Sequence, residues 1–368
     1  MSEQENYGLS KSLSTTAGEA PALDYLPRES DYRPRIGLIG AGGISEYHLR
    51  AYRKHGLNVV TIADPTLQKA EQRRDEFFPE ASVSTSADTV FEDDSIEVVD
   101  IATHPEPRVQ LIEKAIAAGK HILSQKPFVT DLDVGQRLVD QADDRGVTLA
   151  VNQNGRWAPH YRYIAQAIRA GIVGDVSSVD FAQQWDHTWT IGTPFEDIHH
   201  LLLYDFGVHW FDFAHCFTGT ARAERVFASV RPTSYQKARP PFLASALIDY
   251  PNTQVRINYN AHVTCGQRDS VVVCGERGTL RSAGEGLNSH EVLLETEGKH
   301  STPKLDGDWF SSGFEGTMLE LLSAIAEKRT PENNARDNLA SLELCFAAVR
   351  SADTGEPQIP GKVRRINC

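Results

Sequence analysis

The chain has 368 residues, 40% hydrophobic and 24% charged, enough to bury more than one core and typical of soluble globular proteins. Its formal net charge of -13 disfavours nucleic acid and anionic membranes as partners, although a locally basic pocket could still take a phosphorylated substrate. Five cysteines (Cys216, Cys265, Cys274, Cys345 and Cys368) include no CxxC pair, no run is apolar enough to span a membrane, and the acidic start lacks signal-peptide blocks, so free thiols and a cytoplasmic location are expected.

Residues 1–32, Ser/Thr-rich from Ser10 to Thr16, read as a flexible tail or a strap over another subunit. Then Ile36, Leu38 and Ile39 form a short apolar run, as in a buried parallel strand. Gly40-Ala-Gly-Gly-Ile44-Ser45 follows, and Glu46 to His55 reads as a helix. Strand, glycine turn and helix in that order are the context in which such a turn binds a dinucleotide. Gly40, Gly42 and Gly43 permit the sharp turn, the missing side chain at Gly42 lets a pyrophosphate approach the backbone, and the helix start offers it unpaired N–H groups. Ser45 stands where Gly or Ala is usual. A plain glycine-rich turn is the competing reading.

Asn58 to Ala63 reads as the next strand and ends at Asp64, near the spacing at which a carboxylate grips the adenosine ribose. A carboxylate there repels a 2′-phosphate, so NAD is expected over NADP. Asp64 could also cap the helix that starts after Pro65. Residues 66–78, 88–92, 109–118 and 131–145 read as helices, alternating with strands near 83 and at 97–102, 120–124 and 147–151. Thr103-His104-Pro105-Glu106-Pro107 reads as an extended turn, since prolines disfavour helix behind them. Gln125-Lys126-Pro127 lies at a strand's carboxyl end, where open α/β sheets bind ligands. The expected cofactor contacts are therefore Gly40, Gly42, Gly43, Ile44, Asp64, Thr103, His104, Pro105, Gln125 and Lys126. The whole of 33–155 reads as a doubly wound parallel sheet of Rossmann type.

Beyond residue 155 the pattern changes. A helix at 159–170 is followed by alternating strands at 176–185, 223–231, 243–250, 255–261 and 270–274, turns at Pro251-Asn252 and Gly275 to Gly278, a helix at about 201–217, and late helices at 318–327 and 338–351. Residues 156–368 thus read as an α+β domain on a large, mainly antiparallel sheet. Its outer face needs a cover, which a homodimer or homotetramer could supply.

Asp205-Phe-Gly-Val-His209-Trp-Phe-Asp212 carries the chemistry. On a helix Asp205, His209 and Asp212 would share one face, as for an imidazole oriented by carboxylates to take a proton. A satisfied core histidine is the alternative. Lys126, at a strand end, could donate to an alcohol or alkoxide oxygen. The histidines at 187, 199, 200, 209 and 215 do not form a compact ligand set, so no metal site is assigned and substrate contact is preferred for them.

These residues resemble the Gfo/Idh/MocA oxidoreductases, the family of glucose–fructose oxidoreductase and inositol dehydrogenases. The resemblance rests on Gly40 to Ser45, Ala63-Asp64-Pro65, Ala118-Gly-Lys-His-Ile-Leu-Ser-Gln-Lys-Pro127, Asp205-x-Gly-x-His209-x-x-Asp212 and Ser351-Ala-Asp-Thr-Gly355. It implies a catalytic group of Lys126, Asp205 and His209, with hydride passing to NAD from a sugar, sugar derivative or cyclitol while His209 takes the hydroxyl proton. Two departures stand out: Gln125 replaces the usual Glu, and Arg108 stands where His is common. Lys126, Asn154, Arg156, Trp157, His187 and His209 are the expected substrate contacts, with Asn152, His160, Asp186 and His199 as further candidates. A non-catalytic NAD sensor, or glycoside cleavage or sugar–sugar oxidoreduction with retained cofactor, are the alternatives.

Overall fold

The computed structural model describes residues 15–219, 221–288 and 290–366. In chain order its first elements are β1 (Thr16–Ala17), β2 (Arg35–Ile39), α1 (Ser45–Lys54), β3 (Asn58–Ala63), α2 (Leu67–Phe77), β4 (Ser82–Ser84), α3 (Asp88–Phe91), β5 (Ile96–Ile101), α4 (Pro105–Ala117), β6 (His121–Gln125), α5 (Leu132–Arg145) and β7 (Leu149–Asn152). Strands β2 to β7 build a parallel sheet in the order β4-β3-β2-β5-β6-β7. The order reverses between β2 and β5, so a crevice opens beyond their carboxyl ends, where ligands of such sheets lie. Buried Ile36, Leu38, Val98, Val99, Ile101, Ile122 and Leu123 make these strands apolar on both faces, as helices on both sides require.

The second half continues with α6 (Pro159–Arg169), β8 (Val176–Gln184), a π turn at Leu202–Phe206, α7 (Val208–Thr218), β9 (Arg225–Arg231), β10 (Leu243–Asp249), β11 (Gln254–Asn260), β12 (Arg268–Gly275), β13 (Gly278–Gly284), β14 (His290–Thr296), β15 (Lys299–Ser301), α8 (Trp309–Glu327) and α9 (Ala335–Thr354). Its sheet runs β1-β15-β14-β13-β12-β8-β11-β10-β9 and is antiparallel except for the β8–β11 and β1–β15 pairs. Strand burial alternates, as in β11, because one face packs on helices and the other faces solvent. Phe181, Tyr161, Phe213, Phe217 and Trp309 form a stacked aromatic layer between sheet and helices.

The two halves are sewn together. Phe314, Met318, Leu321 and Leu322 of α8 pack into the same core as Ile36, Leu38 and Leu123 of the parallel sheet. Of the segment expected to be a tail or strap, residues 1–14 lie outside the described residues. Residues 15–32 run along their own chain: Thr16 N–H bonds the Gly298 carbonyl, the Tyr163 hydroxyl donates to the Pro21 carbonyl, and Tyr25 stacks edge-on against Tyr163.

Several elements differ from expectation. The prolines at 105 and 107 open α4 instead of forming an extended turn, since Pro105 sits at its first position, where no N–H partner is needed. The helix expected at 201–217 breaks at Gly207 into the π turn and α7. Helix α8 starts nine residues earlier than its apolar pattern suggests, at Trp309 rather than Met318. Strands β13, β14 and β15, rich in Gly, Ser, Glu and Lys, extend the antiparallel sheet beyond the turn at 275–278.

Candidate active site

The glycine turn sits where β2 meets α1. Gly40 has φ +100°, and a side chain there would collide with the Ala102 carbonyl 2.7 Å away. At Gly42 and Gly43 a Cβ would meet nothing within 4 Å, so open space lies over the turn. Buried Ser45 tightens it by donating to the Gly42 carbonyl at 2.6 Å. Asp64 does two jobs: one carboxylate oxygen accepts from Ala41 N–H and the other from Thr66 N–H, both at 2.8 Å. The acidic group therefore stands directly beside the glycine turn and caps the turn into α2. The open cradle over Gly42 and Gly43 and this carboxylate fit the groups of a dinucleotide.

Thr103, His104 and Pro105 lie at the end of β5, and Gln125 and Lys126 at the end of β6, on the crevice side. Arg108, wholly buried, joins the two strand ends: its guanidinium donates to the Thr103 and Pro127 carbonyls. Burial lowers its pKa to about 10, opposed by Tyr204 and Asp205, so it stays charged at neutral pH. Below the crevice a polar chain runs through the core. Tyr52 and His48 Nδ1 both bond Asp100 Oδ2, at 2.6 and 2.7 Å. Asn152 Nδ2 bonds His48 Nε2 at 3.1 Å and Gln125 Oε1 at 2.7 Å. This fixes the Gln125 amide with its carbonyl turned to Asn152. The lone signal for the chain in the sequence is Asp100, a second carboxylate in a strand whose other charge, Glu97, is exposed; its partners are far apart along the chain.

Lys126 reaches across to the second half. Its Nζ donates to the Asp205 carbonyl at 3.0 Å and lies 3.4 Å from Asp205 Oδ2. Asp205 stands in the π turn, so the widened backbone, not a regular helix, presents both its carbonyl and its carboxylate to the lysine. His209 follows in the first turn of α7, packed edge-on against Trp210 and Trp309. Burial first and the Lys126 charge second hold its imidazole well below its ordinary pKa, and its Nδ1 has no protein partner. A neutral, unpartnered imidazole beside an ammonium–carboxylate pair can accept a proton from a bound hydroxyl.

Asp212 does not join this group. It lies three residues after His209 in the same regular helix, but its carboxylate is taken by Arg156, accepting from Nε and Nη2 at 2.6 Å each, with Ser341 adding a third bond. Arg156 also bonds Asp337 and the Glu332 carbonyl, so this expected substrate contact is committed to the interior. Trp157 is buried against Gly316 and beneath the Arg162 guanidinium, and Asn154 is covered by Gly313 of α8. Among the further candidates, His160 stacks on His290 with ring centroids 3.8 Å apart, and Asp186 caps Thr188. His187 lies closer to the chemistry: it stacks on Trp185, meets Phe206 edge-on, and burial lowers its pKa to about 4. His199 pairs instead with Asp353.

Two family models match the chain. An oxidoreductase-family, NAD-binding Rossmann-fold model covers residues 34–153, and a GFO/IDH/MocA C-terminal-domain model covers 161–281. The chain is 26% identical to a D-apiose dehydrogenase of Paraburkholderia graminis, over 86% of its length and 87% of that protein's. It is 25% identical to an inositol 2-dehydrogenase of Rhizobium meliloti, over 86% and 96%. Among solved structures, an oxidoreductase from Agrobacterium radiobacter, determined in complex with NAD+, L-tartaric acid and magnesium, superposes with a TM-score of 0.80. It is 20% identical and aligns over 89% of this chain and 99% of its own, a likeness of fold. No helix among the described residues is long and apolar enough to cross a membrane.

Proposed function

The chain belongs to the Gfo/Idh/MocA oxidoreductase family, and from that premise we propose that it oxidises a hydroxyl-bearing carbon of a sugar, sugar derivative or cyclitol, with NAD preferred to NADP. The observation that carries this reading is the meeting of Lys126, Asp205 and His209 at the mouth of the crevice, brought together from two separate halves of the chain.

Gly40, Gly42, Gly43, Ile44, Asp64, Thr103, His104, Pro105, Gln125 and Lys126 would hold the dinucleotide, whose nicotinamide supplies the hydride acceptor. Asp64 offers acceptors to ribose hydroxyls and repels a 2′-phosphate. The protein's part is proton transfer and orientation. Lys126 donates to the substrate oxygen and stabilises the charge that grows on it. His209, neutral at pH 7, takes the hydroxyl proton on a ring nitrogen. Asp205 holds the Lys126 ammonium in place. His187, Trp185 and Phe206 form the nearby apolar wall that a sugar ring needs. D-Apiose and inositol, the substrates named for two relatives, belong to the proposed class.

The test is the appearance of NADH absorbance when purified protein and NAD meet a panel of aldoses, ketoses, inositols and uronates, with NADP run in parallel. A substrate oxidised with NAD and poorly with NADP supports the reading. Calorimetric NAD binding without turnover on any member would favour a sensor instead.

A further inference from the structure

Away from the Lys126 group, His199, His200 and Asp353 converge on one point. Both imidazoles aim Nε2 at the same carboxylate oxygen, Asp353 Oδ1, at 2.7 and 2.9 Å, and their ligand atoms lie within 4.8 Å of one another. The histidines lead into the π turn, while Asp353 stands in the last turn of α9, 153 residues after His200. Neighbouring side chains on an extended backbone point to opposite sides. Here His200 adopts φ +48°, a left-handed conformation uncommon outside glycine, and the two rings come to lie 3.9 Å apart. His200 is buried while His199 is half exposed, so the cluster is anchored on one side and open on the other.

We propose that His199, His200 and Asp353 bind a first-row divalent cation of the zinc type. Two imidazole nitrogens and a carboxylate oxygen are a donor set for Zn²⁺, Co²⁺ or Ni²⁺, whereas Mg²⁺ and Ca²⁺ favour oxygen-only sets. Tetrahedral donors about 2.0–2.1 Å from zinc stand roughly 3.3 Å apart, so the imidazoles must back off the carboxylate by about 0.5 Å and settle at that spacing from each other, starting within 4.8 Å. The exposed side of His199 leaves the fourth position to water. Binding through Nε2 puts the His200 ring proton on Nδ1, which is buried and has no protein acceptor. Without that outer hydrogen bond the affinity is micromolar, not that of a closed structural site. The bound ion would fasten the end of α9 to the segment that carries Asp205, without touching the reacting groups. Spacing in the sequence conceals this set because the carboxylate is so distant.

The test uses full-length protein without a histidine tag, stripped with a chelator and dialysed. Titration with Co²⁺ is followed in the visible range, where four-coordinate cobalt absorbs strongly, and Zn²⁺ binding by calorimetry. One equivalent should bind with a micromolar Kd. His199→Gln and Asp353→Asn should each weaken it at least tenfold, while Cys265→Ser, which removes an exposed thiol, should not. His199 is exposed, so its variant should show an unchanged thermal melt, which separates lost ligation from lost folding. No saturable binding up to 100 micromolar, or binding that survives either ligand substitution unweakened, overturns the site.

Discussion

His209 is asked to be a base, and its surroundings set the pH at which it can be one. Burial and the Lys126 charge both oppose protonation, so its pKa lies below the ordinary 6.5. The lone pair is available above that lowered pKa and is lost as the ring protonates. The acid limb of kcat/KM should therefore fall with its midpoint below pH 6.5, read from rates between pH 4 and 8. His209→Asn should lower kcat about 10²–10⁴-fold, the usual worth of a positioned base, while the Kd for NAD, measured by fluorescence titration, stays within about twofold. Asp64 gives a second residue-scale test. It bonds the glycine turn and caps Thr66, so capping alone would account for its place. If it also faces the ribose, Asp64→Ser should shift the NAD-to-NADP ratio of kcat/KM toward NADP at least tenfold; an unmoved ratio would reduce Asp64 to a cap.

At the scale of elements, Asn154 to Trp157 matters most. The sequence gives this polar and aromatic stretch the character of a sugar site, but α8 and α9 bury it. Arg156 neutralises Asp212 and Asp337, and the Asp337 carboxyl is held well below the usual range with His215 and Arg156 as its partners. Arg156→Leu leaves two carboxylates facing each other without their cation, and should cost about 3–5 kcal/mol in denaturant unfolding. Substrate KM of the folded fraction should not move; a large rise in KM would return Arg156 to the substrate site. The same stretch shows what a sequence can convey. Local signals were legible: the strand–glycine–helix unit, Asp64 beside it, and Lys126 at a strand end. What was hidden depended on distant partners or on backbone irregularity. Asp205 shares a helical face with His209 only if the helix is regular, and the π turn that holds Asp205 breaks that count, while Asp212 is drawn off by Arg156, a partner 56 residues away. The polar chain from Asp100 through His48 and Asn152 to Gln125 joins four separate elements. Strands β13 to β15 carry too few apolar residues in strict alternation to be read as strands from the sequence.

Over the whole molecule, the folding of two sheets and two terminal helices around shared cores traps several histidines in the neutral state. Burial lowers the pKa of His160 and His209 strongly and brings His187 and His290 to about 4. Each binds a proton in the unfolded chain below about 6.5 but not in the fold, so unfolding takes up protons and stability falls as pH falls from 6.5 toward 4. Two groups act in the other direction. Asp269, buried in the large sheet, has its pKa raised to about 7 and is protonated in the fold before it is in the unfolded chain. His55 is raised by its bond to Glu315. Both add stability on acidification. Glu332, lowered to about 2 chiefly by Arg162 and Arg169 against the cost of burial, stays charged throughout this window and begins to matter only below the ordinary glutamate range. The buried imidazoles, joined by His121 and His200, outnumber the two opposing groups, so the protein should be less stable at pH 5 than at pH 7. Urea unfolding at the two pH values measures it directly. His290→Phe, which fills the same stacked position against His160 without a titrating ring, should flatten the slope by about one group's share, roughly 1.4 kcal/mol per pH unit below 6.5. An unchanged slope in that variant would mean that His290 is protonated in the fold as readily as in the unfolded chain.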